Sequence, residues 1–326
     1  ILLYLVYLNQ KNLHIANCIA QNGPDADCDY FEKIKSDLRQ AKLVWILASL
    51  VIFMISNIIR ALRWNMLFKT LNYSVNVWNS FFSIMIGYMV NLGLPRAGEV
   101  AKIAALSRNE NIPLEEVTGT LVVDRTMDFI CLFLMMVIGI SFEYNAIVGF
   151  IQTNASLPSW LLWIPIIPIL GFVWFLRIRK TSKLKIIQKI NALYEGFSAG
   201  IMSVFRMKNK GLFILYSVLI WFCYYLMTYV VFFSYEPTAD LSPMAGLVVF
   251  VFGALGMVIP SPGGAGTYHY LISKGLELYG VIDGFVFANI IFIPIQVLCN
   301  IGFGLLAYIV LPMLNKDDPT DSQDSA

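Results

Sequence analysis

The chain has 326 residues, of which 58% are hydrophobic and only 13% are charged. Soluble domains average about 45–50% apolar and about 25% charged residues, so a water-soluble globular enzyme is excluded. The formal net charge is only +2, which gives no indication of nucleic-acid binding, and the composition predicts a polytopic membrane protein.

The predicted elements begin inside a short apolar run, Ile1 to Leu8, interpreted as the remainder of a first transmembrane helix whose beginning is missing. The stretch Asn9–Lys42 is predicted to be an external loop. Seven further segments qualify as crossings by hydropathy alone: Leu43–Ile59, Val77–Leu94, Val117–Ile140, Trp160–Leu176, Gly211–Ser234, Pro243–Ile259 and Gly284–Leu311.

The distribution of basic residues decides which segments cross. Region 177–210 contains nine Lys and Arg residues and one acid, and region 60–69 contains three basic residues and no acid. Both regions belong in the cytoplasm by the positive-inside rule, which requires Val77–Leu94 and Pro243–Ile259 to return to the side that they entered. The sequence therefore predicts an all-α protein with six crossings, two re-entrant helical hairpins and both termini cytoplasmic. The alternative, ordinary loops between full crossings, violates the charge rule twice.

Two parts of the chain resemble each other and predict an inverted repeat over about 42–140 and 211–311. In each part a plain helix precedes an apolar run that is broken by Pro and Gly, with Pro95 matching Pro260 and Gly98 matching Gly263. Broken helices expose backbone groups that survive in a membrane only inside protein or beside a wet cavity, so matched breaks indicate a midplane site.

The repeats are predicted to form one transmembrane domain, 1–316, followed by a disordered acidic tail, 317–326. The basic segment 177–210 joins them and carries an amphipathic helix pattern. Such a helix lies in the headgroup plane of anionic lipid or packs against the bundle.

Ionisable residues inside a crossing are costly and mark function by default. Asp124, Arg125 and Asp128 lie within one crossing, and the spacing of four places both aspartates on one helix face. They predict either a functional charge cluster or an ion network that only fixes this helix against its neighbours.

The first hairpin tip carries candidates for binding a lipid headgroup. Arg96 follows Pro95 at the tip, where a guanidinium can hold a phosphate in bidentate fashion. Glu99 is placed to pair with Arg96 or with Lys102, and a purely structural salt bridge is the alternative.

The second hairpin tip is uncharged and rich in small residues. Its backbone amides are candidates for an anion-binding nest, although close helix packing explains the glycines nearly as well. The candidate residues here are Pro260, Pro262, Gly263, Gly264, Gly266 and His269. A lone histidine beside a loop is more often a structural residue than a ligand.

Cys18 and Cys28 both fall in the predicted external loop, where they form a disulfide if that compartment is oxidising and stay as thiols otherwise. The sequence has no CxxC, HExxH or P-loop pattern. We therefore predict no metal or other cofactor.

Three motifs carry a family resemblance: NLGLPRAGEV at 91–100, Asp124-Arg125 with Asp128, and PSPGGAG at 260–266. Their types and order resemble the signatures of the lysylphosphatidylglycerol synthase transmembrane family, also called flippase-like. The resemblance implies a multi-pass protein of the bacterial or archaeal plasma membrane that handles polar, often anionic or aminoacylated, lipids. Two departures are Asp124, where the family often has Glu, and His269, where it often has an acid. These 326 residues are not expected to include the aminoacyl-transferase domain of the full synthases, so the resemblance does not imply lipid aminoacylation by this chain alone.

The sequence thus favours a flippase-like transporter of polar phospholipids or polyprenyl lipids. Arg96 and Arg125 are predicted to hold the phosphate, while Asp124, Asp128 and Glu99 balance those arginines. The alternative is a non-transporting membrane partner that presents lipid to a separate lipid-modifying enzyme. An intramembrane enzyme is disfavoured, nucleic acid is not an expected partner, and the sequence is compatible with a homo-oligomer.

Overall fold

The computed structural model describes residues 2–23, 28–144, 204 and 207–314. Secondary structure in these residues is helical. The helices are α1 (Leu2–Asn22), α2 (Tyr30–Gln40), α3 (Leu43–Thr70), α4 (Val77–Gly93), α5 (Ala97–Glu110), α6 (Leu114–Phe142), α7 (Lys210–Phe232), α8 (Pro243–Val258), α9 (Thr267–Glu277), α10 (Gly284–Ile291) and α11 (Asn300–Leu314). A π-helical segment, Phe292–Cys299, joins α10 to α11, and 3₁₀ turns occupy Glu236–Thr238 and Pro262–Gly264.

Three helical stretches of the described chain are long and apolar enough to cross a membrane: α3, α7 and the continuous stretch Gly284–Leu314. The 28 residues of α3 extend about 42 Å, against about 30 Å for the hydrocarbon core of a bilayer. Because several such helices pack together, this is a multi-pass helical membrane protein.

Two helical hairpins interrupt the long helices. Helix α4 packs along α5, and α8 packs along α9. Glycines allow the close approach of the arms, since a Cβ on Gly87 would lie 2.9 Å from the Gly98 carbonyl oxygen and one on Gly256 would lie 2.7 Å from the Tyr268 Cα. The longest of the four arms, the 17-residue α4, extends about 26 Å, less than the hydrocarbon thickness.

The plain helices of the two predicted repeats run antiparallel to each other. The Lys42 amide donates to the Ser234 carbonyl at one end of the α3–α7 pair, and Arg63 donates to Ser217 towards the other end. Each half also packs on the hairpin of the other half, α6 against α8 and α11 against α4. The hairpin tips meet, because Leu92 faces Gly263.

The prediction that α3 ends at Ile59 and leads into a basic loop is wrong. Helix α3 continues to Thr70, and Trp64, Leu67 and Phe68 in its last turns are buried. Hydropathy ended the segment at Arg60 because it counts an arginine as a cost wherever the side chain points. This helix buries its arginines against carboxylates of α6.

The predicted external loop Asn9–Lys42 is largely helical. Helix α1 continues to Asn22, α2 occupies Tyr30–Gln40, and a disulfide joins Cys18 to Cys28. On α2, Lys33 pairs with Asp37 (2.6 Å) and with Asp283 before α10 (3.1 Å). Burial alone would lower the pKa of Lys33, but these two carboxylates outweigh it and raise that pKa above its usual value.

Several predictions fall outside the described residues. These are the crossing Trp160–Leu176, most of the basic segment 177–210 with its amphipathic helix, and the tail 317–326. Five residues near the end of the basic segment are described, 204 and 207–210. Two of them, Val204 and Met207, are buried in the hydrophobic core that surrounds the first hairpin.

Candidate functional site

A buried ion network joins α3 to α6. Arg63 donates to Asp124 at 2.6 Å and to Asp128 at 2.8 Å, while Arg60 lies 3.2 Å from Asp124 and 2.8 Å from Asp128. The side chains of Arg63 and Asp124 are fully buried. Positions 60 and 63 share a helix face, as do 124 and 128, so helical geometry brings the two pairs together.

The network continues outward to the first hairpin. Asp128 also accepts from Arg125 at 3.2 Å, and Arg125 pairs with Glu99 of α5 at 3.3 Å. The exposed fraction of the side chains rises along this path, from 0% at Asp124 to 12% at Asp128 and 34–35% at Arg125 and Glu99. The inner members are therefore held by protein alone, whereas the outer pair is accessible.

Arg96 occupies the tip between α4 and α5 in an unusual backbone conformation. Its φ of 64° is in the left-handed region, where a non-glycine residue is strained by about 1–3 kcal/mol. Its exposed guanidinium donates to the Val258 carbonyl at the end of α8, at 3.3 Å. In the described chain Arg96 has no carboxylate within salt-bridge distance, so its charge is free for a ligand.

The second hairpin tip is held together by its own hydrogen bonds. The Thr267 hydroxyl donates to the Gly256 carbonyl at 2.7 Å. The amides of Gly264 and Ala265 donate to Ser261 and Pro262 carbonyls. The Gly266 amide donates to Nδ1 of the buried His269. These three amides are used within the protein, so the predicted anion nest at this tip is wrong for them.

A cavity of about 400 Å³ lies between the two hairpins and α6, within the size range of small-molecule sites. Five charged residues line it: Arg60, Arg96, Glu99, Arg125 and Asp128. All but Arg96 belong to the ion network. The remaining wall is mainly apolar, with residues from α3, α6, α7 and α8 that include Phe53, Phe129, Leu132, Trp221, Phe250 and Met257. The cavity is therefore amphipathic.

The structure divides the predicted site residues into two groups. Arg96, Glu99, Arg125, Asp128, Pro260, Gly263 and Gly264 line the cavity, whereas Pro95, Gly98, Lys102, Asp124, Pro262, Gly266 and His269 do not. Gly98 serves the packing of α5 against α4. His269 is buried against Phe285 and Phe292.

The predicted charge partners need correction in two places. Asp124 pairs with Arg60 and Arg63, not with Arg96 or Arg125. Glu99 pairs with Arg125, one of the two arginines that it was predicted to balance, and not with Arg96 or Lys102. The sequence suggested other partners because both arginines of α3 had been assigned to a loop.

Sequence reasoning also missed several polar residues that line the cavity. Besides Arg60 these are Tyr88, Asn91, Tyr224, Gln296 and Asn300. A signal existed for Arg60 and Arg63, because their spacing of three matches one helix face and apolar residues continue beyond them. Gln296 lies on the π-helical segment, which hydropathy cannot distinguish from an ordinary helix. Within the described residues, no group of three or more His, Cys, Asp or Glu side chains is arranged to hold a metal ion.

A family model, the lysylphosphatidylglycerol synthase TM region, matches residues 30–295. The chain belongs to this family. The resemblance inferred from the three sequence motifs is thus confirmed, and the match covers both hairpins and the charge network. Those features are accordingly placed within the family's membrane region.

A UPF0104 membrane protein of Methanocaldococcus jannaschii is 26% identical over 165 residues. That alignment covers 49% of this chain and 47% of the relative, so the chain matches about half the length of the relative. No solved structure matches the chain. The function of this member of the lysylphosphatidylglycerol synthase TM region family is therefore inferred from the geometry of its cavity.

Proposed function

We propose that this protein binds polar lipids in the cavity between its hairpins and translocates them across the membrane. The observation that carries the proposal is the amphipathic cavity itself, whose lining combines arginines and carboxylates with a mainly apolar wall. A phospholipid has the same division, since its phosphate suits a guanidinium and its acyl chains suit the apolar wall.

The balance of charge at the cavity favours an anionic headgroup. Arg60, Arg63 and Arg125 are matched by Asp124, Asp128 and Glu99 in the ion pairs described above. Arg96 adds a fourth guanidinium, which among the described residues donates to a carbonyl and has no carboxylate partner. A phosphate that enters beside Arg96 supplies the missing negative charge.

We propose the following topology for this activity: six crossings, two re-entrant hairpins and both termini in the cytoplasm of a prokaryotic cell. The crossings and the hairpins are supported by the antiparallel course of α3 and α7, by hairpin arms shorter than a bilayer and by the meeting of the hairpin tips. In this arrangement the hairpins enter from opposite sides, and their tips separate two routes to one midplane site, as in transporters with inverted repeats.

The proposal is tested by translocation of fluorescent phospholipids in proteoliposomes. Arg96→Ala removes a charge-assisted contact worth about 1.5–3 kcal/mol, so the rate for anionic headgroups should fall about tenfold or more. Arg108→Ala is the matched control, because Arg108 is an exposed arginine on the same hairpin, near the far end of α5, and it should leave the rate unchanged.

Equal translocation rates for the wild type and Arg96→Ala would show that the headgroup does not bind at the first hairpin tip. A folded wild-type protein that moves no lipid would overturn translocation. Co-purification of a lipid-modifying enzyme would then support the alternative, a membrane partner that presents lipid to that enzyme.

A further inference from the structure

One buried lysine stands apart from the ion pairs of the site. Lys102 of α5 is 3% exposed, and its side-chain nitrogen has no hydrogen-bond partner among the residues that the structure describes. It lies 4.1 Å from the centre of the Trp64 ring. Among the described residues no carboxylate lies within salt-bridge distance of it.

Two neighbouring helices, α3 and α4, fix the environment of Lys102. Trp64 of α3 is itself anchored by a 3.0 Å hydrogen bond to Thr120 of α6. On α4, the absence of a side chain at Gly87 lets the Lys102 backbone approach closely, since a Cβ there would lie 3.0 Å from the Lys102 Cβ. The burial of Lys102 therefore results from the packing of its helix and does not depend on one side-chain rotamer.

The neighbouring charges already balance without Lys102. Those that act on it are Arg125 and Asp124 of α6, Glu99 of its own helix and Arg60 of α3. Arg63 completes the three arginines and three carboxylates of the network, and Tyr88 is the titratable residue of α4 beside the cavity. A protonated Lys102 would add one uncompensated positive charge in a buried place, which is costly unless an anion comes near.

We propose that Lys102 is a proton-binding site that is neutral in the empty protein and protonated when an anionic headgroup occupies the cavity. The lone pair of the amine takes a proton from water, and the ammonium gives it back when the anion leaves. Glu99 lines the cavity and lies one turn before Lys102 on the same helix face, so the proton site adjoins the anion site. This inference rests on the proposed lipid binding.

The consequence is proton-coupled binding. An anion and a proton enter together, so each stabilises the other by linkage, and anion affinity rises as pH falls. Translocation of the loaded state then carries less net charge than translocation of the lipid alone.

The test is calorimetry of a water-soluble short-chain phosphatidylglycerol binding to the purified full chain in detergent near neutral pH. Two buffers with different ionisation enthalpies are compared, and the difference in heat gives the protons taken up. The wild type should take up protons on binding, up to about one per lipid bound. Lys102→Met, which keeps the aliphatic stem over Trp64, should take up none and bind more weakly.

Two further variants separate proton binding from packing. Lys102→Arg keeps a permanent charge, so it should bind lipid with no proton uptake. Lys274→Met removes a lysine from the other hairpin that is paired with Glu277 at 2.7 Å, and it should retain the wild-type uptake. If Lys102→Met does not fold, the Lys102→Arg result decides.

Lipid binding with equal heat in both buffers would overturn the proton site and leave lipid binding intact. Uptake that persists in Lys102→Met or Lys102→Arg would assign the proton to another group and equally overturn it. A wild type that binds no lipid would overturn the proposed function, and the proton site with it. Lipid binding without translocation in proteoliposomes would overturn the proposed transport and leave the proton site intact.

Discussion

At the scale of single residues, the site depends on how four charged side chains share their hydrogen bonds. Arg60 and Arg63 each contact both Asp124 and Asp128. A buried ion pair is worth little compared with well-packed apolar residues, but removal of one partner leaves an uncompensated charge. The inner network should therefore tolerate substitution far less than its exposed end.

We expect Asp124→Asn to lower the free energy of unfolding by about 3–5 kcal/mol, because it leaves two buried guanidinium groups with one carboxylate. Glu99→Gln is the control from the same network. Its side chain is 35% exposed and, within the described part of the chain, forms its ion pair with Arg125, so the loss should stay below about 1 kcal/mol. Thermal unfolding in detergent measures both, and an equal fall in Tm would contradict the distinction.

The motifs identified the carboxylates of this network but not their partners. Asp124 and Asp128 stood out because acids inside an apolar segment are unusual. Arg60 and Arg63 followed an apolar segment and were read as the ordinary basic flank of a crossing. Only the tertiary packing of α3 on α6 shows that they are buried, and a single sequence does not contain that contact.

At the scale of elements, the hairpins depend on glycine at the points where their arms touch. A Cβ on Gly98 would collide with the Gly87 carbonyl oxygen and with the Asn91 side chain. Asn91 also accepts a 2.9 Å hydrogen bond from the Gly98 amide, so the side chain cannot move away freely. The sequence indicated this glycine as part of a helix break, whereas its role is to let α5 lie against α4.

Gly98→Ala should destabilise the protein by about 1–3 kcal/mol or more, since the arms must separate to admit one methyl group. Gly119→Ala is a matched control on α6, where a Cβ would meet nothing within 4 Å. That substitution should be neutral or stabilise the helix by up to about 1 kcal/mol. The two unfolding temperatures decide, and a Gly98→Ala variant as stable as Gly119→Ala would refute the packing argument.

The two connections illustrate what periodicity could not supply. Residues 94–96 turn the first hairpin and residues 259–266 turn the second, although the motifs suggested equivalent tips. The longer second turn contains the 3₁₀ segment Pro262–Gly264 and three glycines with positive φ. Hydropathy locates such breaks but carries no information about how far the chain travels before the next helix.

At the scale of the whole molecule, the two halves are interleaved. Each half supplies a long helix that packs on the hairpin of the other half, and the cavity takes residues from both. The all-helical membrane class and the pairing of the hairpin arms were predictable from composition and hydropathy. The interleaving was not, because it depends on contacts between residues far apart in the chain.

The proposed topology makes a labelling prediction that hinges on the first hairpin. If α4 and α5 are re-entrant, single cysteines at Ser74 and Glu115 should both be protected from a membrane-impermeant maleimide in intact cells. Cysteines at Asp240 and Ile282 should both react. All four positions are exposed, and the background would lack the free cysteines Cys131, Cys223 and Cys299.

Opposite labelling of Ser74 and Glu115 would mean that the chain crosses the membrane once between these two positions. The re-entrant assignment of α4 and α5 would then be abandoned. Opposite labelling of Asp240 and Ile282 would do the same for α8 and α9. Labelling after permeabilisation controls for cysteines that fail to react for local reasons.

The placement of the buried charges also bears on biogenesis. Arg60, Arg63, Asp124 and Asp128 all lie in the first 128 residues of the chain, so the network is complete before the second half is synthesised. Each charge alone at the centre of a helix opposes insertion by about 2.5–3.5 kcal/mol. We therefore expect α3 to be retained beside the translocon until α6 arrives, and the pair to enter the lipid as one neutralised unit.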